Sequence, residues 1–259
     1  MTESVTLDVL AIGAHPDDVE ITSGGLLIKL ARMGRKVGVL DLAGGEMGTH
    51  GDESDRSREA DRAAEIMGLS YRHNLGLPDS AIQYDHETKV KIARIIRETT
   101  PELVILPHWN QRHPDHLACS RLGFDACFLS GLKKLEATGE PHRPRKIIYA
   151  SYFRNQDFSF LVDISDAFPQ KVEAVAAYES QFGQMKKPDF ASPETVNLAE
   201  LIETDTRSVF SPGGLSVYDL MFTRAHALGQ QANVQYAEAY TVKENILIDD
   251  PQKMPIRSI

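Results

Sequence analysis

Two short segments carry the side chains with which proteins most often bind metal ions. Residues 15–18 read HPDD and residues 113–116 read HPDH, and each segment follows an apolar run. The outer residues of each segment are three positions apart, so both side chains can point at one spot where a strand turns into a helix. Adjacent carboxylates repel each other unless a positive charge lies between them. Imidazole and carboxylate together suit a divalent first-row metal ion, most commonly zinc.

Helix capping is the simplest alternative explanation of these segments. A histidine-proline pair is most often a turn, and aspartates at this place commonly cap the following helix. Two such segments at the ends of two strands are harder to explain as caps, so the pattern favours a metal site. A site with three protein ligands leaves a position for water, which is the arrangement of catalytic metal centres.

Alternating strand and helix patterns in the first half of the chain should position these segments. Apolar runs predict strands over residues 7–14, 36–42, 72–75 and 103–107. Apolar residues at helical spacing predict helices over residues 20–33, 55–67, 86–98 and 115–129. Such alternation is typical of an α/β protein with a mainly parallel, Rossmann-like sheet flanked by helices. Because ligands bind beyond the carboxyl ends of such strands, both His/Asp segments should lie at the same edge.

The second half of the chain is less regular. It predicts strands over 147–152 and 160–162, and helices over 165–180, capped by Ser165, and over 215–228, stopped by Gly229. Residues 184–214 predict an irregular excursion around a short helix near 194–203. Since no linker divides the chain, we expect a single domain over residues 1–259, with a core of 5–183 and a C-terminal extension of 184–259.

Composition narrows the possible partners. The formal net charge of −9 disfavours binding to nucleic acid or to anionic membranes. No stretch reaches the roughly 18 to 20 apolar residues that a membrane span needs, and the N-terminus lacks a signal-peptide pattern. Cys119 and Cys127 fall in one predicted helix, about 12 Å apart along its axis, which is too far for a disulfide. We therefore expect a cytoplasmic protein.

The two motifs, AHPDDVE and RHPDH, resemble the signature pair of the PIG-L/LmbE superfamily of zinc-dependent N-deacetylases. The likeness extends through GGEMGTHGDESDRSREADRAAEIMG, NLGLPDS, FLVDISDAFPQKVEAVAAYESQFG and YAEAYTVKENIL. Within that superfamily the chain most resembles the bacillithiol biosynthesis deacetylases, which remove acetate from N-acetylglucosaminyl-malate (GlcNAc-malate). The resemblance implies a Zn²⁺-dependent hydrolase acting on the acetamide of a small-molecule N-acetylglucosamine (GlcNAc) conjugate. It also implies self-association, as a trimer or hexamer.

The resemblance further implies roles for individual side chains. Three residues would bind zinc: His15, Asp18 and His116. Asp17 would be the general base that activates water, and His113 would stabilise the oxyanion or donate a proton, with Asp115 orienting it. Arg56 and Asp79 would contact the substrate.

Other possibilities stay open at the level of sequence. The conjugate could carry inositol, a chito-oligosaccharide or a glycosylated natural product, and the metal could be iron or cobalt. A metal- or sugar-binding protein without turnover is a further alternative. A phosphoesterase would more often use two metal ions about 3.5–4 Å apart, for which there are too few ligands. Glu46 and His50 are candidates for the rim of the site, and the roles of His108, Tyr218 and His226 are not defined by the sequence.

Overall fold

Seven strands form one sheet in the computed structural model, which describes residues 5–152, 156–183, 216–250 and 252. In chain order they are β1 (Val9–Gly13), β2 (Val37–Ala43), β3 (Tyr71–Leu77), β4 (Leu103–Pro107), β5 (Lys146–Ala150), β6 (Phe160–Asp163) and β7 (Ala237–Thr241). The order across the sheet is β3-β2-β1-β4-β5-β7-β6, and β7 alone runs antiparallel to its neighbours. The predicted α/β class with a mainly parallel, Rossmann-like sheet is confirmed.

Helices cover both faces of the sheet. They are α1 (Asp18–Arg32), α2 (Glu53–Met67), α3 (His86–Thr99), α4 (Pro114–Leu129), α5 (Phe168–Ala176), α6 (Glu179–Phe182) and α7 (Val217–Gln231). Helices α1, α2 and α5 pack together on one face, and α3 packs against α4 on the other. The side chains of β1 alternate between two apolar cores, with Val9 in one and Leu10 in the other. Burial on both faces explains the continuous apolar runs of the central strands.

The sheet order places the two His/Asp segments side by side. Strand β1 pairs directly with β4, in a register that sets Val9 beside Leu103 and Ala11 beside Ile105. Each strand ends a few residues before a helix, α1 after β1 and α4 after β4. Both segments therefore lie at the carboxyl edge of the sheet, as the alternation of strands and helices predicted.

The predicted helix over 165–180 is wrong, because this stretch forms two helices, α5 and α6. Pro169 lacks a backbone N–H and is tolerated in the first turn, so α5 begins at Phe168. The Ser165 hydroxyl does not cap the helix. It donates to Asp163 Oδ1 at 2.6 Å and accepts the backbone N–H of Tyr236 at 3.1 Å.

Two further differences concern the last helix and strand. Gly229 does not stop α7, which runs on to Gln231. A Cβ at Gly229 would lie 2.7 Å from the carbonyl oxygens of residues 234 and 235, so the close return of the chain explains the glycine. Strand β7 was missed because it buries Glu238. The carboxylate of Glu238 pairs with Lys171 Nζ at 2.6 Å and accepts the Tyr240 hydroxyl at 2.8 Å.

Several expectations concern the remaining parts of the chain. The excursion over 184–214 and its short helix near 194–203 lie outside the described residues. Cys119 and Cys127 both lie in α4 and are free and buried. Within the described ranges, the structure contains no helix with the length and apolar character needed to cross a membrane.

Candidate metal centre and active site

Three side chains from the two turns converge on one point. His15 Nδ1 lies 3.5 Å from Asp18 Oδ2, and His116 Nε2 lies 3.1 Å from Asp18 Oδ1. One ligand atom from each of the three residues falls within 4.8 Å of the others, and all three residues are buried. A buried carboxylate between two imidazoles is a donor set that suits a divalent transition-metal ion. The residues present therefore fit the metal that the resemblance implies.

Local hydrogen bonds fix the turn that carries His15 and Asp18. The backbone N–H of His15 donates to Asp18 Oδ2 at 3.0 Å, so this carboxylate is held by its own turn. A Cβ at Gly13 would lie 3.0 Å from the Val19 side chain, which leaves little room for a larger residue there. His113 is the N-cap of α4, which places His116 in the first turn of that helix, facing the end of β1.

Asp17 has a strained backbone and does not act as a helix cap. Its φ of 107° lies in the left-handed region, which costs a non-glycine residue about 1–3 kcal/mol. Although it stands at the N-cap position of α1, its side chain makes no capping hydrogen bond and instead lines the cavity beside the His/Asp cluster. Burial raises the pKa of Asp17 to about 7, with the charge of Arg56 opposing the shift. The capping alternative for Asp17 is therefore excluded.

The guanidinium of Arg56 is directed at the turn that contains Asp17. Its Nη1 donates to Asp17 Oδ2 at 3.3 Å, and its Nη2 donates to the carbonyl oxygen of Pro16 at 2.6 Å. Arg56 lines the cavity, yet only 4% of its side chain is exposed. The predicted substrate contact of Arg56 stays a prediction, and the contacts seen are with the chain itself.

Two further carboxylates lie against the other nitrogen of the His15 ring. Asp79 Oδ1 is 3.0 Å and Asp115 Oδ2 is 3.2 Å from His15 Nε2. The carboxylate of Asp115 thus contacts His15, whereas the resemblance implied that it orients His113. Burial lowers the pKa of His15, but hydrogen bonds and charges from Asp18 and Asp79 raise it to about 11. The negative charge of these carboxylates, which favours a proton on His15, also favours binding of a metal ion beside it.

The hydrogen bonding of His113 defines its tautomer. Its Nδ1 accepts the backbone N–H of Asp115 at 3.2 Å, so in the neutral ring the proton lies on Nε2. Burial lowers the pKa of His113, and the charges of His116 and His15 lower it further. A neutral His113 with an Nε2–H can donate a hydrogen bond without carrying a charge.

The cluster opens into a cavity of about 390 Å³. Its lining combines imidazoles and carboxylates with four apolar residues: Ile21, Phe182, Val217 and Leu220. The lining residues that the sequence analysis missed include Gln111, Arg112 and Tyr152. Tyr152 stands just beyond the carboxyl end of β5, with its ring centroid 5.4 Å from that of His116. The rule that located the His/Asp segments, applied to β5, could have found it.

The remaining candidates differ in their distance from the cavity. His50 lines it, and Glu46 Oε1 accepts the backbone N–H of Asp79 at 2.8 Å. His108 is buried and stacks on Trp109 with ring centroids 4.1 Å apart, outside the cavity lining. Tyr218 is buried in the apolar core, with its ring centroid 6.2 Å from that of the lining residue Phe182, and His226 is exposed on α7. Neither residue belongs to the cavity lining.

Fold and site together define an α/β protein with a buried His/Asp cluster at the carboxyl ends of its parallel strands. The family model described as PIG-L, GlcNAc-PI de-N-acetylase, matches residues 10–127. A diacetylchitobiose deacetylase of Thermococcus kodakarensis is 33% identical over 189 residues, which cover 67% of this chain and 70% of that protein. The chain belongs to the PIG-L family.

Solved structures share the whole fold. The conserved protein TT1542 from Thermus thermophilus has a TM-score of 0.78 and 33% identity, over 94% of this chain and 97% of that one. A 4-carboxy-2-hydroxymuconate hydratase from Pseudomonas putida KT2440 has a TM-score of 0.72 and 17% identity, over 93% and 98%. The second likeness concerns the fold alone.

Proposed function

We propose that the chain hydrolyses the acetamide of an N-acetylglucosamine conjugate with a Zn²⁺ ion held by His15, Asp18 and His116. The observation that carries this proposal is the placement of Asp17. Its carboxylate adjoins the three-residue cluster, lines the same cavity and is not used as a helix cap. A site that only binds a metal has no use for such a carboxylate. Membership of a family of de-N-acetylases supports the acetamide as the bond that is cleaved.

Asp17 and His113 can carry the proton and charge movements of the reaction. A zinc ion at this site would act as a Lewis acid and lower the pKa of water to about 7. Asp17 accepts the proton of the attacking water and returns it to the departing amine, so that acetate and a free amine are formed. His113 donates from Nε2 to the carbonyl oxygen as negative charge develops on it. Arg56 holds the Asp17 carboxylate on the cavity side of the turn.

The position of Arg112 favours a substrate in which the sugar is joined to an anionic group. It is an exposed residue of the cavity lining and has no hydrogen bond or ion pair with another residue of the described ranges. Such a cation can hold a carboxylate through two parallel hydrogen bonds. We therefore propose GlcNAc-malate as the conjugate, as in bacillithiol biosynthesis, with Arg56 as a further candidate for substrate contact.

Diacetylchitobiose is the second candidate substrate, favoured by the 33% identical relative. Amine release should be measured with zinc-loaded protein on GlcNAc-malate, GlcNAc-inositol, free GlcNAc and N,N'-diacetylchitobiose. We expect fastest turnover of GlcNAc-malate and its loss after treatment with a chelator. Turnover that survives complete removal of metal, or no turnover of any conjugate with zinc bound, would overturn the proposal.

An Arg112→Gln variant tests the choice of conjugate. It should raise KM for GlcNAc-malate and leave KM for diacetylchitobiose unchanged, because only the first carries carboxylates. The matched control is Arg94→Gln, on the exposed surface of α3. An equal effect on both substrates would contradict the assignment of malate to Arg112.

The proposal also includes the organisation of the chain. We expect one catalytic domain over residues 1–259, located in the cytoplasm and assembled as a trimer or hexamer. Sedimentation analysis of the purified protein measures the assembly, and a purely monomeric species would refute this part.

A further inference from the structure

Two aspartates from different segments of the chain contact the same nitrogen of His15. Asp79 lies in the turn after β3, and Asp115 lies in the first turn of α4. Their oxygens approach His15 Nε2 at 3.0 and 3.2 Å, with side chains that are 7% and 3% exposed. The other nitrogen, Nδ1, faces Asp18. The imidazole is therefore held between carboxylates at both ends.

Backbone donors fix both aspartates in place. Asp79 Oδ2 accepts the N–H of Met47 at 3.0 Å. The Asp115 carboxylate accepts the N–H of Ser80 at 2.7 Å and that of Ile82 at 3.4 Å. Because these donors come from two other loops, neither carboxylate is free to rotate away from the ring.

This arrangement selects one tautomer of His15. Two carboxylate oxygens at Nε2 can only be satisfied by a proton on that nitrogen, so in a ring that carries a single proton the lone pair is on Nδ1. Histidines that bind metals usually donate their other N–H to a carboxylate, which orients the ring and increases its basicity. We propose that Asp79 and Asp115 are positioning residues that hold His15 with Nε2–H donated to them and Nδ1 presented to the metal.

The inference rests on the proposed metal site and reassigns two residues within it. By resemblance, Asp79 would contact the substrate and Asp115 would orient His113. The structure shows His113 oriented instead by the backbone N–H of Asp115, so its carboxylate is available to His15. If both aspartates position His15, replacing either one should weaken metal binding. If the resemblance is right, replacing Asp79 should raise KM and replacing Asp115 should disturb the orientation of His113.

Zinc affinity of the intact protein separates these assignments. We would measure Kd for Zn²⁺ by competition with a chromophoric chelator for Asp79→Asn and Asp115→Asn, with exposed Asp61→Asn as the matched control. Asparagine keeps an oxygen that can accept the backbone N–H groups but loses the negative charge that attracts the imidazole N–H. We expect Kd to rise roughly 10–100-fold in both variants, as for other such partners, and to stay unchanged in the control.

Two further readouts guard against a merely structural effect. At saturating zinc, KM of Asp79→Asn should match that of the unaltered protein, and ¹⁵N resonances of the zinc-loaded protein should show His15 protonated at Nε2. An unchanged Kd with a raised KM would overturn the inference for Asp79. If Asp115→Asn fails to fold, the zinc affinity of Asp79→Asn and the tautomer of His15 still test the inference. Tight zinc binding without deacetylation would refute the proposed function and leave this inference standing.

Discussion

Replacing Asp17 by asparagine should leave the proposed metal ligands intact and remove the proposed base. Asparagine has the same shape and tolerates the left-handed backbone, so the φ of 107° adds no new strain. Its amide oxygen can still accept the hydrogen bond from Arg56. Asp17 is outside the cluster of His15, Asp18 and His116, so zinc content should not change.

The magnitude follows from what the variant loses and what it keeps. General base catalysis by a positioned side chain contributes about 10²–10⁴-fold. This corresponds to about 2.7–5.4 kcal/mol in the activation free energy, at 1.36 kcal/mol for each factor of ten. The loss should appear in kcat, because the asparagine occupies the same space and KM has no reason to change. The Lewis acid and the donor at His113 remain, so a residual rate above that of water is expected.

The assay is amine release at saturating zinc, with metal content measured by elemental analysis in the same samples. Asp61→Asn, the same chemical change on the exposed side of α2, is the control. A kcat close to that of the unaltered protein, with zinc fully bound, would refute Asp17 as the base. A fall in activity that simply follows a fall in zinc content would show that Asp17 is a ligand.

Three other perturbations have defined outcomes. Arg72→Met should lower the free energy of unfolding by about 3–5 kcal/mol in urea titrations, because two buried carboxylates lose their counter-charge. This loss should be larger at pH 8 than at pH 5. Burial raises the pKa of Asp41 to about 6, so Asp41 is ionised and depends on the charge of Arg72 at pH 8, whereas at pH 5 it is mostly protonated. A loss independent of pH would contradict this account. Gly45→Ala should lower kcat and keep zinc, because its Cβ would lie 2.6 Å from Arg56 Nη2 and φ is +77°; unchanged kinetics would show that the guanidinium does not hold the base. His15→Ala should abolish stoichiometric zinc binding, and full zinc occupancy would refute this ligand.

Strands and helices that are defined by a local pattern of apolar residues could be predicted from the sequence. Strand β1 and strand β4 are continuous apolar runs, and the residues that end them are polar and turn-forming. Their pairing follows from the general topology of alternating strands and helices. The common edge of the two His/Asp segments could therefore be inferred from the order of strands and helices along the chain.

The pairing of particular side chains could not be predicted in this way. His15 and Asp115 are 100 positions apart, and the Asp115 carboxylate that contacts His15 also accepts the N–H of Ser80, in the loop after β3. Likewise, nothing near Arg56 in the chain indicates that its guanidinium turns towards residues 16 and 17. Strand β7 escaped detection because a buried glutamate contradicts the usual strand pattern, and its partner Lys171 belongs to a distant helix.

The fold alone does not select the reaction. A hydratase shares the fold of this chain at 17% identity, so the same scaffold supports a reaction other than amide hydrolysis. Activation of water is the step that a hydratase and a deacetylase have in common, and the proposed metal site with Asp17 would provide for it in this chain. Cleavage of an acetamide additionally requires a donor for the carbonyl oxygen and a proton for the leaving amine. In the proposed mechanism, the Nε2–H of His113 and the proton returned by Asp17 meet these two needs. Release of an amine is the outcome that distinguishes the two reactions.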